Sequence, residues 1–283
     1  MFVFKAAVVG AGTMGGEIAH AIASAGIPIV LKDVHQEAVD RGIARARSLW
    51  QAQVHAGTLD AAGSEARLSL ITGATDYGGF GDVDFVIEAV PERMEIKQAV
   101  FSELDEVTPG HAILASNTSA MSITLLGEVT IRPDKVVGFH FFFPASTNRL
   151  VEVTEGDDTS TETAQAAANF AQAIRKLPIR CAEAPGFVVN RILNAAVTEL
   201  WRGQEATGIE IEEFDRVFAE MSPSGYGPFF IADALGLDTC VSVAEYMRES
   251  LGDRFHVHAQ MRELVGEGHL GAKTGRGFYE HQS

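Results

Sequence analysis

Ala6-Ala7-Val8-Val9-Gly10-Ala11-Gly12-Thr13-Met14-Gly15 decides the fold. Four apolar residues end at a glycine, and the glycines follow the pattern G-x-G-x-x-G. Alone this pattern is weak in a chain with 28 glycines. Its placement makes it specific. It follows an apolar run that reads as a strand, it opens a helix, and it precedes a second strand ending in Asp33, 18 residues after Gly15. Gly10 permits a tight turn. Gly12 lets a pyrophosphate approach the backbone. Gly15 lets the helix pack close to the sheet. Ala11, Thr13 and Met14 complete the turn, whose free N–H groups at the helix start face the phosphates. Asp33 would accept from both ribose hydroxyls of an adenosine. A carboxylate there repels a 2′-phosphate, so NAD is expected rather than NADP.

Outward from this turn, strands and helices alternate. Strands are expected at 6–9, 29–31, 84–90, 112–115, 136–139, 150–153 and 179–182. Helices are expected at 13–25, 35–55, 61–71, 94–107 and 161–176. The strands are short and wholly apolar, which predicts a Rossmann-type, doubly wound, mainly parallel sheet covered on both faces. The region 35–71 forms a helical excursion. Ala184-Pro185-Gly186 breaks the alternation, and beyond it only helical periodicity appears: 188–201, 210–220, 229–249 and 255–265. An α/β domain over 1–184 and a smaller all-helical domain over 185–283 are expected.

Composition narrows the partners. Thirty-eight acids against 22 bases give a net charge of −16, which excludes nucleic acid and anionic membranes as principal partners. An anionic small ligand would need a local basic pocket. No apolar run reaches the ~18 residues of a membrane span, and the N-terminus reads as a first strand rather than a signal peptide. Two cysteines, Cys181 and Cys240, give neither a disulfide framework nor a zinc pattern. A cytoplasmic, metal-free enzyme fits.

The candidate chemistry sits where predicted strands end. His140 closes Val136-Val137-Gly138-Phe139-His140, at the carboxyl edge where doubly wound folds place ligands. It could equally be a core histidine among Phe141, Phe142 and Phe143. Glu152, twelve residues on, lies inside the apolar run Leu150-Val151-Glu152-Val153. Buried acids need a partner, and a His–Glu pair would satisfy the acid while stabilising an imidazolium. Asn117 and Ser119 follow the 112–115 strand and could hydrogen-bond a nicotinamide and a reacting oxygen, or serve only as turn and cap residues. Asn190 opens a helix and allows the same two readings.

Together these stretches resemble the L-3-hydroxyacyl-CoA dehydrogenases, including bacterial 3-hydroxybutyryl-CoA dehydrogenases. The likeness runs from about residue 5 to 280 and is carried by GAGTMG, VIEAVPERMEIK (86–97), ILASNTSAMSIT (113–124), VVGFHFFFP (136–144), LVEV (150–153), APGFVVNRIL (184–193), GPFFIADALGLD (227–238) and KTGRGFY (273–279). The resemblance implies His140 as general base with Glu152 as its partner, and Ser119 and Asn190 positioning substrate and base. It places Glu92, Lys97, Asn117 and Lys273 around NAD with the glycine turn and Asp33, and it implies a homodimer formed through the helical domain. Departures cluster on the substrate side. The family's H-F-F-N-P becomes His140-Phe141-Phe142-Phe143-Pro144, so Phe143 would line a more apolar pocket. Its G-K-L-T becomes Gly57-Thr58-Leu59-Asp60, which removes a lysine that helps hold the CoA end. Ser224-Gly225-Tyr226-Gly227-Pro228 replaces a more usual H-P-M-G-P. The implied activity is NAD-dependent oxidation of a 3-hydroxyacyl-CoA. The alternatives are a dehydrogenase of a CoA-free 3-hydroxy acid, and an NAD-binding structural or regulatory protein with little turnover.

Overall fold

The computed structural model describes residues 2–222 and 225–281, so Ser224 of the substituted stretch lies outside the described residues. The chain divides into two compact units, Met1–Phe187 and Val188–Ser283.

The first unit runs β1 (Ala6–Val9), α1 (Thr13–Ser24), β2 (Ile29–Lys32), α2 (Gln36–His55), α3 (Ala61–Leu68), β3 (Ile71–Ala74), β4 (Phe85–Glu88), α4 (Met94–Val107), β5 (Ile113–Ser116), α5 (Ile123–Gly127), β6 (Val136–Phe141), β7 (Leu150–Glu155), α6 (Thr161–Ala173) and β8 (Leu177–Ala182). Its eight strands form one sheet in the order β3-β2-β1-β4-β5-β6-β7-β8. The pairs from β3 through β6 are parallel, β7 runs antiparallel to β6, and β8 is parallel to β7. Strand order reverses between β1 and β4, and a crevice for a ligand opens at the carboxyl ends of strands at such a reversal. Every residue of β1, β2, β4 and β5 is buried, as expected of strands covered by helices on both faces. One layer packs Ile18, Ile22, Trp50, Phe139 and Phe170, the other Phe80, Phe101, Leu104 and Phe187.

Two expectations are corrected. The helix read over 61–71 ends at Leu68, and Ile71–Ala74 is a strand beside β2. That strand is short and half-exposed, and its Gly73 packs beneath Val39, where a Cβ would stand 2.6 Å from a methyl group. It therefore lacks the continuous apolar signature of its neighbours.

The second unit contains α7 (Val189–Thr207), α8 (Ile211–Met221), α9 (Pro228–Leu235), α10 (Leu237–Leu251) and α11 (Ala259–Gly266) around Trp201, Phe229, Leu237, Ala244 and Met261. The single helix read over 229–249 is two, broken at Gly236, whose φ of +100° a helix does not accommodate. Buried Asp215 of α8 accepts from the N–H groups of Phe229 and Phe230, capping α9. Buried Asp233 accepts from Phe278 and Tyr279 N–H and contacts the His281 ring, clasping the last residues to the helices.

Candidate active site

At the end of β1 the glycines take the geometry that the motif requires. Gly10 has φ +102°, and a Cβ on Gly15 would lie 1.8 Å from the Gly10 carbonyl oxygen. Around Gly12, by contrast, a Cβ would meet nothing within 4 Å. The turn is tight where the chain packs on itself and open where a ligand approaches. The first turn of α1 carries no acid and no side-chain cap, and a helix start of this kind favours an anion. Asp33 closes the turn from β2, one carboxylate oxygen accepting from Ala11 N–H at 2.8 Å and the other from Val34 N–H at 2.8 Å. An ionised carboxylate has four lone-pair sites, so capacity remains for a ribose. These residues fit the dinucleotide read from the sequence.

His140 and Glu152 are direct partners in the β6–β7 ladder. Residues opposite each other in an antiparallel pair project to the same face, and this register brings His140 Nδ1 to 2.9 Å from Glu152 Oε2. Glu152 is fully buried and His140 is 5% exposed. The carboxylate holds the ring's orientation through Nδ1, and Nε2 is the nitrogen that Glu152 does not engage. The Phe142 and Phe187 rings pack around the imidazole.

A second network fixes the loop after β5. Buried Glu88, the last residue of β4, accepts from Ser116 Oγ at 2.6 Å, Val90 N–H at 2.7 Å and Lys97 Nζ at 2.8 Å. Lys97 also reaches Glu92 at 3.1 Å, and Glu92 Oε1 accepts from Thr118 Oγ1 at 2.5 Å and Ser119 N–H at 2.9 Å. Asn117 Oδ1 accepts from Phe141 N–H at 2.9 Å and ties this loop to the strand bearing His140. Ser119 is thus held by a relay of alternating charges.

The structure gives several expected site residues work within the protein. Lys97 is 1% exposed and directs its ammonium at Glu88, Glu92 and the Val90 carbonyl. It acts as a support for Glu92 rather than as a free donor for a ligand. Lys273, in the second unit, pairs with Asp238 at 2.7 Å. Asn190 lies in the first turn of α7, its carbonyl accepting from Asn194. Phe143 stands 58% exposed. Glu88, Ser116 and Thr118 were missed. Glu88 carried the same signal as Glu152, an acid inside an apolar strand, in Asp84-Phe85-Val86-Ile87-Glu88.

Among the described residues no helix is long and apolar enough to cross a membrane, and no cluster of His, Cys, Asp and Glu is arranged to hold a metal.

Comparison with known proteins places this geometry. Residues 5–184 match the NAD binding domain of 3-hydroxyacyl-CoA dehydrogenase, and residues 186–281 match its C-terminal domain. A probable 3-hydroxybutyryl-CoA dehydrogenase of Deinococcus radiodurans is 37% identical over 98% of this chain and 100% of that protein. The fatty acid oxidation complex subunit alpha of a Psychrobacter species is 38% identical over 98% of this chain, which spans 39% of that relative's length. The crystal structure of (S)-3-hydroxybutyryl-CoA dehydrogenase from Ralstonia eutropha superposes with a TM-score of 0.93 at 36% identity, covering 100% of both chains. The chain belongs to the 3-hydroxyacyl-CoA dehydrogenase family and carries both its NAD-binding and its C-terminal domain.

Proposed function

We propose that the protein is an NAD-dependent dehydrogenase interconverting a 3-hydroxyacyl-CoA and the 3-ketoacyl-CoA. The observation that carries this reading is the buried His140–Glu152 pair on the sheet that bears the dinucleotide turn. NAD supplies the hydride acceptor at C4 of its nicotinamide. Nε2 of His140 takes the proton of the 3-hydroxyl as hydride leaves C3. Glu152 offsets the positive charge that the ring then gains. In reverse, the same nitrogen protonates the forming alkoxide. Ser119, held through Glu92, and Asn190 position substrate and base. Gly10 to Gly15 and Asp33 hold the pyrophosphate and ribose, with Asn117 and the Glu92–Lys97 pair supporting the nicotinamide side, and the resemblance assigns Lys273 to the cofactor as well. The exposed Ile192, Leu193, Met221 and Leu235 of the second unit suit burial in a homodimer. The reading carries with it a cytoplasmic location.

A second reading, a CoA-free 3-hydroxy acid as substrate, is favoured by Phe143 and Thr58, which replace an amide and a lysine of the family pattern. The intact His140–Glu152 pair counts against a role in NAD binding alone. The test follows NADH absorbance with purified protein and either acetoacetyl-CoA or free acetoacetate. Oxidation with the thioester alone is expected. Turnover of acetoacetate alone moves the assignment to the second reading. No turnover of either, despite NADH binding, overturns both.

A further inference from the structure

Glu17 is fully buried in α1, four residues and ~6 Å of helix rise beyond Thr13. The His140 site does not use it. One of its oxygens accepts from the Arg45 guanidinium at 2.6 and 3.2 Å. The other accepts from Ser146 N–H at 3.0 Å and Ser146 Oγ at 3.2 Å. Close packing of α1 on α2 makes the first contact possible. A Cβ on Gly16 would stand 2.8 Å from the Gly42 carbonyl oxygen, and Arg45 follows Gly42 by three residues on α2. Burial raises the Glu17 carboxyl, but the hydrogen bonds from Arg45 and Ser146 outweigh it and hold the group below its usual range. Glu17 is therefore ionised at neutral pH.

Ser146 belongs to the loop that joins β6, which carries His140, to β7, which carries Glu152. The same loop is gripped by a buried cation. Lys176, 6% exposed, donates to the Ala145 carbonyl at 2.5 Å and the Asn148 carbonyl at 2.7 Å. Burial pushes its amine down, and the charge of Glu17 opposes this. The Ala145 carbonyl and the Ser146 N–H are the two ends of one peptide group. A carboxylate holds one end and an ammonium the other. Both bonds are charge-assisted, the stronger kind. Buried charges are expensive, and neutral groups could satisfy a peptide at less cost. The arrangement therefore calls for a purpose beyond satisfying that peptide.

The contents of the loop supply one. Its first residue, Phe142, packs on the His140 ring at 4.4 Å, and its second, Phe143, is exposed. Eight residues between two strands make a long hairpin loop, and such loops are mobile unless tethered. The tether here runs to the helix whose start forms the dinucleotide turn. Hydride transfer needs donor and acceptor carbons held in contact, and an error of 1 Å costs about 10²-fold. We propose that Glu17 is a positioning residue of the reaction: with Lys176 it clamps the Ala145–Ser146 peptide and so fixes the loop of Phe142 and Phe143 to the helix of the dinucleotide turn. The clamp stands on geometry alone, and its role in turnover rests on the dehydrogenase reading.

The test compares wild type with Glu17→Met, Glu17→Gln and Lys176→Met. Arg45, with its side chain 42% exposed, can turn to water when Glu17 is lost. Hydrogen exchange over 142–149 reads the clamp. It is expected to quicken in both Met variants, and unchanged exchange in folded variants overturns the clamp. With acetoacetyl-CoA and NADH deuterated at the transferred position, kcat in Glu17→Met should fall about 10- to 100-fold. The isotope effect on kcat should rise as hydride transfer becomes the slow step, which a loss of stability alone would not cause. The NADH dissociation constant should stay within about threefold of wild type, since the interaction lost is not one with the cofactor. Glu17→Gln keeps an acceptor for Ser146 and should lose less. Quickened exchange with kcat and isotope effect unmoved overturns the positioning role, as does NADH affinity that falls in step with kcat. If Glu17→Met does not fold, Lys176→Met, which frees the same peptide from its carbonyl end, decides by the same readings. Wild type that binds NADH yet turns over neither acetoacetyl-CoA nor free acetoacetate overturns the dehydrogenase reading, and exchange still decides the clamp.

Discussion

His140 and His20 occupy the same unit and are both nearly buried, at 5% and 3% exposure, yet they solve burial in opposite ways. His140 faces a carboxylate across a strand pair, 2.9 Å away. His20 faces no partner, packs against the Trp50 ring at 4.8 Å, and is held neutral. A buried imidazole with no carboxylate beside it resists protonation, as at His20. The first arrangement fixes the ring through Nδ1, as the proposed reaction requires. The second keeps the ring neutral against Trp50.

The largest expected effect breaks the first half of this contrast. His140→Ala removes the only group that the β6–β7 register places opposite Glu152. We expect kcat to fall ~10²–10⁴-fold while the NADH dissociation constant moves little, as loss of a general base predicts. Stopped-flow oxidation and fluorescence titration of NADH measure the two quantities. Near-wild-type turnover in this variant refutes the assignment of His140.

How far each histidine was legible follows from how local its surroundings are. Gly10 to Asp33 spans α1 and β2 directly after β1, so the dinucleotide turn could be read from spacing alone. His140 and Glu152 stand on adjacent strands, and the anomaly of an acid in an apolar run gave the pair away, though only the antiparallel register shows contact. Glu88 offered the same anomaly, but its partners come from β5 and α4. The charges that bear on His20 are drawn from Glu17, Arg67 and Lys176, and no spacing rule links Arg67 to Lys176. Their meeting is a product of sheet order. The break at Gly236 was hidden for another reason. Apolar periodicity continues through Ala234-Leu235-Gly236-Leu237, and a lone glycine within it does not announce a positive φ.

A smaller effect is expected when His140 is made to resemble His20. Glu152→Gln keeps an acceptor oxygen near Nδ1 and so preserves the ring's orientation, but it removes the charge that stabilises the imidazolium. We expect kcat to fall about 10²-fold with KM for the thioester changed only a few-fold, since the interaction lost is one made in the transition state. An equal rise in KM would mean that Glu152 acts on substrate binding, and an unchanged kcat would remove it from the mechanism.

The smallest effect concerns stability and tests the second half of the contrast. His20 is lowered from 6.5 to about 4, chiefly by burial. Its folded form thus binds its proton less readily than its unfolded form. Between those two values the unfolded chain holds the proton and the folded chain does not, so stability is fully present above pH 6.5 and is lost as pH falls toward 4. From pH 7 to pH 5 this one group should cost about 2 kcal/mol. His20→Leu, close in volume and unable to titrate, should lose less stability over that interval by about the same amount, measured by urea unfolding at both pH values. Parallel losses in the two proteins would mean that the imidazole is not held neutral.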